Sequence, residues 1–199
     1  MRYFLWENGK ITGMIKLNAA QLRAGKSKIK KIHPSFGGQK SKVKKNEIYI
    51  ILDNVLDTYN IGSIFRLADA VAAKKIYLCG GTEIPPNPRI KKASINTTEW
   101  VTWSYASTTV EALQELKSQN SKVKIIAIEQ SSKSIPYNTF EYKMPICLVV
   151  GHESNGVSQE VLDICDAIVE IPMYGVNISL NVVVSLGIVL YEVISKRKS

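Results

Sequence analysis

Cysteine and histidine are scarce in this chain. Its 199 residues include three cysteines and two histidines. Cys79, Cys147 and Cys165 lie far apart without a CxxC pair, so neither a zinc site nor a disulfide framework is indicated. We expect them to be small buried hydrophobic residues. His33 and His152 are too few for a histidine-rich metal site, and the sequence favours a protein without a metal centre.

Long apolar runs are also missing. No stretch reaches the length that a membrane-spanning helix requires. The N-terminal "MRYFLWENGKITG" turns polar at Glu7 and Asn8, before the apolar core of a signal peptide would form. We therefore expect a soluble, intracellular, cytoplasmic protein, long enough for one domain with a substantial core.

Acidic residues are almost absent from the first 46 positions. This segment has twelve Lys or Arg and one acid, a net charge of +11, whereas residues 47–199 have a net charge of −2. Its densest part, residues 23–45, is rich in Gly, Ser and Lys and is poorly suited to a packed core. Three interpretations remain open: an arm that binds RNA phosphates, a solubilising or flexible tail, or a nuclear-import signal. We expect a domain boundary near residue 46, with a basic extension that binds RNA or is flexible before it.

From residue 47 onward, apolar runs alternate with segments of helical periodicity. This alternation predicts an α/β fold with a mostly parallel sheet. Helix caps are expected at Thr108 or Thr109, with Glu111 in the first turn, and at Ser158. The predicted strands are 47–53, 75–80, 100–106, 122–129, 145–151 and 167–172, and the predicted helices are 60–73, 108–119, 158–166 and 179–196.

The common nucleotide and hydrolase motifs are missing as well. No G-x-G-x-x-G follows the first strand, and neither a G-x-x-x-x-G-K-[ST] nor a G-x-S-x-G pattern occurs. Three polar loops instead precede helices: "NVLDTYNIGSIFR", "GHESNGVS" and "PMYGVNISLN". In parallel sheets, ligands bind beyond the carboxyl ends of the strands, so we expect a site at these loops.

Each loop residue has a structural explanation beside a functional one. Asn60 is a good cap if its helix begins there, and Ser179, more than Asn181, is a cap for the last helix. Arg66 is either a snorkelling side chain or a guanidinium that faces a phosphate or a developing oxyanion. Glu153 is either a carboxylate favoured at a helix N-terminus or a residue that orients a site.

Taken together, the three loops resemble the signature motifs of the SpoU (TrmH-like) RNA ribose 2′-O-methyltransferases of the SPOUT superfamily. The resemblance covers roughly residues 47–195 and rests on "LDNVLDTYNIGSIFRLADA", "ICLVVGHESNGVSQEVLDICDAIVEIPMYG" and "NISLNVVVSLGIVLYEV". It implies an α/β sheet whose C-terminal part forms a deep trefoil knot, and S-adenosylmethionine as cofactor. It also implies a homodimer in which the partner's first motif completes each active site.

The resemblance implies roles for individual residues. The catalytic positions are Asn60, Arg66, Glu153, Ser179 and Asn181, and the cofactor-binding positions are Gly151, Ile171 and Leu180. His152 matches no part of the motif and receives no role.

The implied reaction transfers a methyl group to a ribose 2′-hydroxyl of tRNA or rRNA, with a slight preference for tRNA and no metal. Since a guanidinium is a very weak acid, we expect Arg66 to hold a phosphate and stabilise the forming alkoxide. Two alternatives remain: an RNA-binding protein of the same fold that has lost catalysis, and an α/β enzyme that does not act on nucleic acid.

Overall fold

The computed structural model describes the backbone of residues 2–7 and 10–16, and residues 43–196 completely. The chain divides into two compact units, residues 1–43 and 44–199. The first holds an antiparallel pair of strands, β1 (Arg2–Glu7) and β2 (Lys10–Lys16), whose register shifts between Leu5 and Trp6. Sequence analysis predicted no strand in this segment. Most of the predicted basic arm, residues 17–42, lies outside the described residues, so its RNA-binding role stays a prediction.

The second unit is built on one parallel sheet of seven strands in the order β5-β4-β3-β8-β6-β9-β7. All six neighbouring pairs run parallel, which confirms the predicted α/β fold with a mostly parallel sheet. The strands are β3 (Asn46–Asp53), β4 (Ala73–Cys79), β5 (Trp103–Ala106), β6 (Lys124–Ile128), β7 (Ile135–Pro136), β8 (Ile146–Gly151) and β9 (Ala167–Glu170).

Helices cover both faces of this sheet. They are α1 (Thr58–Ala70), α2 (Pro88–Ser94), α3 (Thr109–Gln119), α4 (Gln159–Ile164) and α5 (Val182–Ser195). Apolar residues of α1, α2 and α5 pack on one face of the sheet. Residues of α3 and α4 pack on the other. The central strands are buried on both faces and therefore read as continuous apolar runs in the sequence.

The structure corrects several predicted boundaries. Helix α1 begins at Thr58, and the side chain of Asp57 caps it by accepting a hydrogen bond from the Tyr59 amide at 2.7 Å. The interpretation of Asn60 as its cap is therefore wrong, because Asn60 lies inside the first turn and is buried. Helix α5 begins at Val182, three residues later than predicted.

Besides β1 and β2, helix α2 and strand β7 were not predicted. Helix α2 begins within the segment read as a proline-rich loop, with Asn87 as its cap and Pro88 at its first position, where proline is tolerated. The short edge strand β7 was also missed.

Thr108 caps α3 as expected, since its hydroxyl accepts a hydrogen bond from the Glu111 amide at 3.1 Å. In the described part of the chain, no helix is both long and apolar enough to cross a bilayer.

Candidate active site

The three polar loops meet at the carboxyl edge of the sheet, and Glu153 joins two of them. This residue follows β8, and its carboxylate reaches the N-terminus of α1. It accepts hydrogen bonds from the amides of Leu56, at 3.1 Å, and Asp57, at 3.0 Å, and from Nδ2 of Asn60, at 2.9 Å. The carboxylate thus interacts with the positive end of α1 and not with α4, the helix that follows it in sequence.

Asn60 extends this connection to the third loop. While its Nδ2 donates to Glu153, its Oδ1 accepts a hydrogen bond from Nδ2 of Asn181 at 3.1 Å. Asn181 in turn caps α5, since its Oδ1 accepts from the Val183 amide at 2.9 Å. The expectation that Ser179 is the better cap is therefore wrong. Asn181, Asn60 and Glu153 form one hydrogen-bonded chain across three segments that are far apart in sequence.

The electrostatics of Glu153 follow from these contacts. Partial burial opposes the charge on its carboxylate, but hydrogen bonds from Asn60, Leu56 and Asp57 outweigh that cost. The net result is a Glu153 pKa below its usual value. The residue is therefore ionised near neutral pH and acts as a hydrogen-bond acceptor.

The loop after β8 folds back tightly on its own start. A Cβ added to Gly151 would lie 2.1 Å from the carbonyl carbon and oxygen of Gly156, so only glycine fits there. Gly156 has a φ of 69°, a conformation that glycine adopts readily. The backbones of His152 and Gly156 exchange two hydrogen bonds. Nδ1 of His152 also accepts from the Ser154 amide at 3.0 Å, which identifies His152 as a residue that orders this loop.

Two carboxylates that sequence analysis did not single out hold the end of the same loop. Asp53, at the end of β3 and 2% exposed, accepts hydrogen bonds from both the amide and the hydroxyl of Ser158 at 2.8 Å. Glu129, just after β6, accepts from the Val157 amide at 2.9 Å. Ser158 occupies the capping position of α4 as predicted, but its side chain bonds to Asp53 and makes no capping hydrogen bond. The sequence signal was a carboxylate directly after a buried strand.

A cleft of about 580 Å³ opens beside these loops. Gly151, Ile171 and Leu180, the three residues expected to bind a cofactor, all line it, as do Glu153, Ser179 and Asn181. Ser179 is exposed, and its hydroxyl has no hydrogen-bond partner among the described residues. The cleft thus combines the ends of β6, β8 and β9 with the segment before α5.

The chemistry of the cleft limits what it can hold. Its volume is typical of a small-molecule site. Its lining includes the carboxyl-bearing residues Glu129, Glu153 and Glu170 but no lysine or arginine. Such a lining suits a cationic or neutral ligand better than a nucleotide polyphosphate, which needs cationic partners. Within the described ranges, no group of three or more His, Cys, Asp or Glu is arranged to hold a metal ion.

Arg66 lies apart from the cleft that its own chain forms. It is half-buried on α1 and is not among the residues that line the cleft. Its guanidinium makes no ion pair or side-chain hydrogen bond with any residue that the structure describes. Seven of the eight predicted site residues are therefore brought together, because six line the cleft and Asn60 bonds to two of those six. Arg66 is the exception.

Comparison with known proteins places these features in context. The model of the SpoU rRNA Methylase family matches residues 47–191. A tRNA (guanosine(18)-2′-O)-methyltransferase of Aquifex aeolicus is 34% identical over 157 residues, which are 78% of this chain and 72% of that protein. A Bacillus subtilis protein named for the TrmH family of tRNA/rRNA methyltransferases is 31% identical over 160 residues. This match covers 79% of the chain but only 63% of that relative.

The solved structures that are similar to this chain include RNA-modifying enzymes of the same kind. The Aquifex aeolicus TrmH/SpoU tRNA modifying enzyme superposes with a TM-score of 0.68 at 33% identity, covering 77% of this chain and 76% of that one. An AdoMet-bound rRNA methyltransferase from Sinorhizobium meliloti superposes with a TM-score of 0.71 at 30% identity. It covers 78% of this chain and 59% of that one.

Proposed function

Because the chain belongs to the SpoU rRNA Methylase family, we propose that it is an S-adenosylmethionine-dependent methyltransferase that modifies a ribose 2′-hydroxyl of tRNA or rRNA. The observation that carries this proposal is the hydrogen-bonded chain from Asn181 through Asn60 to Glu153, which assembles three separate loops beside one cleft. The names of the relatives support the substrate class.

The proposed cofactor fits the cleft. Gly151, Ile171 and Leu180 would hold it, mainly through backbone groups that this loop-lined cleft presents. When bound, S-adenosylmethionine supplies an electrophilic methyl group attached to a sulfonium. The acidic lining suits that positive charge, since opposite charges attract most strongly where water is partly excluded.

Arg66 is proposed to act on the RNA. A guanidinium is a very weak acid, so it stays charged and does not serve as a simple base. We assign it two tasks: it holds the phosphate next to the reacting ribose, and it stabilises the negative charge that forms on the 2′-oxygen. A phosphate oxygen or a water molecule accepts the hydroxyl proton. Glu153 and Asn60 hold the loops around the reacting groups in fixed positions, and alignment of this kind contributes much of the rate of such transfers.

A homodimer would complete each site. Arg66 does not line its own chain's cleft, so the proposal places the partner subunit's copy of this side chain at the reacting ribose. Several large apolar residues near the three loops are also exposed, which is typical of an interaction surface. They are Leu56, Tyr59, Tyr174, Val176 and Ile178.

Mixing two inactive variants tests the shared site. We expect Arg66→Ala and Gly151→Ala to be inactive alone, because each removes a different half of the site. After unfolding and refolding together, random pairing in a two-fold dimer would restore about a quarter of wild-type activity. A mixture that stays inactive, although a tag on one variant co-purifies the other and so shows mixed dimers, would place Arg66 in the same chain's site.

We further propose that the C-terminal part forms the trefoil knot expected for this family. The sheet order, with β8 between β3 and β6, and the packing of α5 against the core near β8 support this proposal. Stretching a single molecule from both ends would tighten a knot. The end-to-end length of the stretched chain would then be less than that of a fully extended chain, which is roughly 3.3–3.6 Å per residue. A full-length extension would contradict the knot.

The substrate follows from one assay. Purified protein is incubated with methyl-labelled S-adenosylmethionine and with RNA from cells that lack this protein's activity. The labelled RNA is then digested to nucleosides. We expect a 2′-O-methylated nucleoside, and the labelled RNA identifies tRNA or rRNA as the substrate. Label on a base would overturn the proposed reaction. Absence of label in RNA that the protein binds would favour the non-catalytic RNA-binding alternative. The basic extension and the cytoplasmic location stay predictions.

A further inference from the structure

The outward face of α2 carries only positive charge. Successive helical residues are rotated by about 100°, so Ile90 and Ser94, both fully buried, define the inner face. Arg89, Lys91 and Lys92 are exposed and are distributed over the opposite side. The segment from residue 84 to residue 98 contains no aspartate or glutamate.

No acidic side chain among the described residues forms an ion pair with these three cations. In the described part of the chain, ion pairs engage lysines elsewhere, at positions 74, 75, 117, 124, 143 and 196. None involves Arg89, Lys91 or Lys92, and none involves Arg66. The four cations without an ion-pair partner, Arg66 on α1 and the three on α2, therefore lie on two helices that pack together.

The basic face lies close to Arg66 because α2 approaches α1 closely. A Cβ at Gly62 would lie 2.5 Å from Cβ of Ala93 and 2.7 Å from the carbonyl oxygen of Ile90, so the contact requires a glycine. Arg66 is one turn further along the same face of α1, about 6 Å along the helix axis. The segment that leads into α2 leaves the carboxyl end of β4, the edge of the sheet at which the cleft opens.

We propose that the outward face of α2, formed by Arg89, Lys91 and Lys92, binds the phosphate backbone of the RNA substrate next to the nucleotide that Arg66 contacts. This inference rests on the proposed function and adds a contact within the methyltransferase unit itself, separate from the N-terminal extension. Exposed, unpaired cations of this kind bind phosphates by releasing counterions, without reading the sequence. A second copy of the chain is a poor occupant, since two-fold pairing there would bring like charges together.

The test compares two triple variants with the same change in charge. Arg89→Gln/Lys91→Gln/Lys92→Gln removes the α2 face. The control, Lys122→Gln/Lys124→Gln/Lys143→Gln, removes three exposed lysines at the amino ends of β6 and β8, the opposite edge of the sheet. Binding of an unmodified tRNA transcript to the full chain is measured at several salt concentrations, together with S-adenosylmethionine affinity, methyl transfer and thermal stability.

For the α2 variant, we expect the slope of log affinity against log salt to fall by about two to three units, one for each lost phosphate contact. The KM for RNA should rise, while S-adenosylmethionine affinity and melting temperature stay unchanged. The control should keep the wild-type slope. If the α2 variant keeps the wild-type slope and KM, the inference is wrong. If wild-type protein transfers no methyl group yet the slope changes as expected, the proposed function fails and this RNA-binding surface stands.

Discussion

The carboxylate of Glu153 provides a quantitative test of how the site is held together. It accepts three hydrogen bonds from the start of α1, two through Oε1 and one through Oε2. Glu153→Gln keeps the shape of the side chain but replaces one acceptor oxygen with an NH2 group that would face the Leu56 amide. One donor then loses its partner, and the other two bonds lose their ionic character.

The size of the effect follows from these contacts. A hydrogen bond to a charged group contributes about 1.5–3 kcal/mol, but Glu153 is only partly buried and solvent screens it. We therefore expect Glu153→Gln to lower the free energy of unfolding by about 1–2 kcal/mol. For a chain of this size, that corresponds to a melting temperature about 2–8 °C lower.

The pH dependence gives a second signature. Since the folded-state pKa of Glu153 lies below its ordinary value of 4.5, its contribution to stability is complete above pH 4.5. The contribution is lost as pH falls through the lowered pKa, because the unfolded state then binds the proton more readily. The stability difference between wild type and Glu153→Gln should therefore be constant from neutral pH to about pH 5 and shrink in more acidic solution.

Urea unfolding at a series of pH values measures both quantities. Glu141→Gln is a suitable control, because among the described residues Glu141 forms only an exposed ion pair, with Lys143, and such pairs contribute little. If Glu153→Gln behaved like this control at every pH, the carboxylate would not be what joins the loops, and the reasoning from its hydrogen bonds would be refuted.

Three further substitutions probe the same site. Asp53→Asn leaves a buried cluster of donors with one acceptor oxygen. We expect the free energy of unfolding, measured by urea titration, to fall by about 2–4 kcal/mol. A loss below about 0.5 kcal/mol would contradict the role of Asp53 in holding Ser158. Gly151→Ala forces the backbone at Gly156 to move, so calorimetry should show at least about tenfold weaker S-adenosylmethionine binding with RNA affinity unchanged. Asn181→Ala removes the cap of α5 and should lower the free energy of unfolding by about 1 kcal/mol. It should also slow methyl transfer at a temperature well below unfolding, where the loss of stability alone would have no effect.

The sequence predicted the sheet well because the central strands are buried on both faces. Runs such as residues 48–52 and 146–150 are continuously apolar for that reason, and their positions needed no knowledge of tertiary structure. The resemblance to a family assigned roles to residues for which local patterns allowed both a structural and a functional explanation. Asn60 looked like a helix cap, and only the structure shows that its two polar atoms join Glu153 to Asn181.

Other features depended on contacts that local sequence does not reveal. Asp53 accepts hydrogen bonds from Thr109 and Ser158, which are distant in sequence, so its place at the end of a buried strand did not reveal which residues it holds. Helix α2 has only seven residues, too few for a periodic pattern, and the prolines at positions 85, 86 and 88 indicated a loop. The dipeptide Asn8-Gly9 lies between β1 and β2 and favours hairpins, so for this strand pair the local sequence does contain a signal.

The central claim is that Arg66 acts on the RNA at a site built from the three loops. The most direct test is the single-turnover rate of methyl transfer by Arg66→Ala and Arg66→Lys, with S-adenosylmethionine affinity measured on the same proteins. We predict that Arg66→Ala lowers the rate about 100-fold or more while cofactor affinity stays at the wild-type value, and that Arg66→Lys recovers only part of the loss. Wild-type turnover by Arg66→Ala would contradict the account.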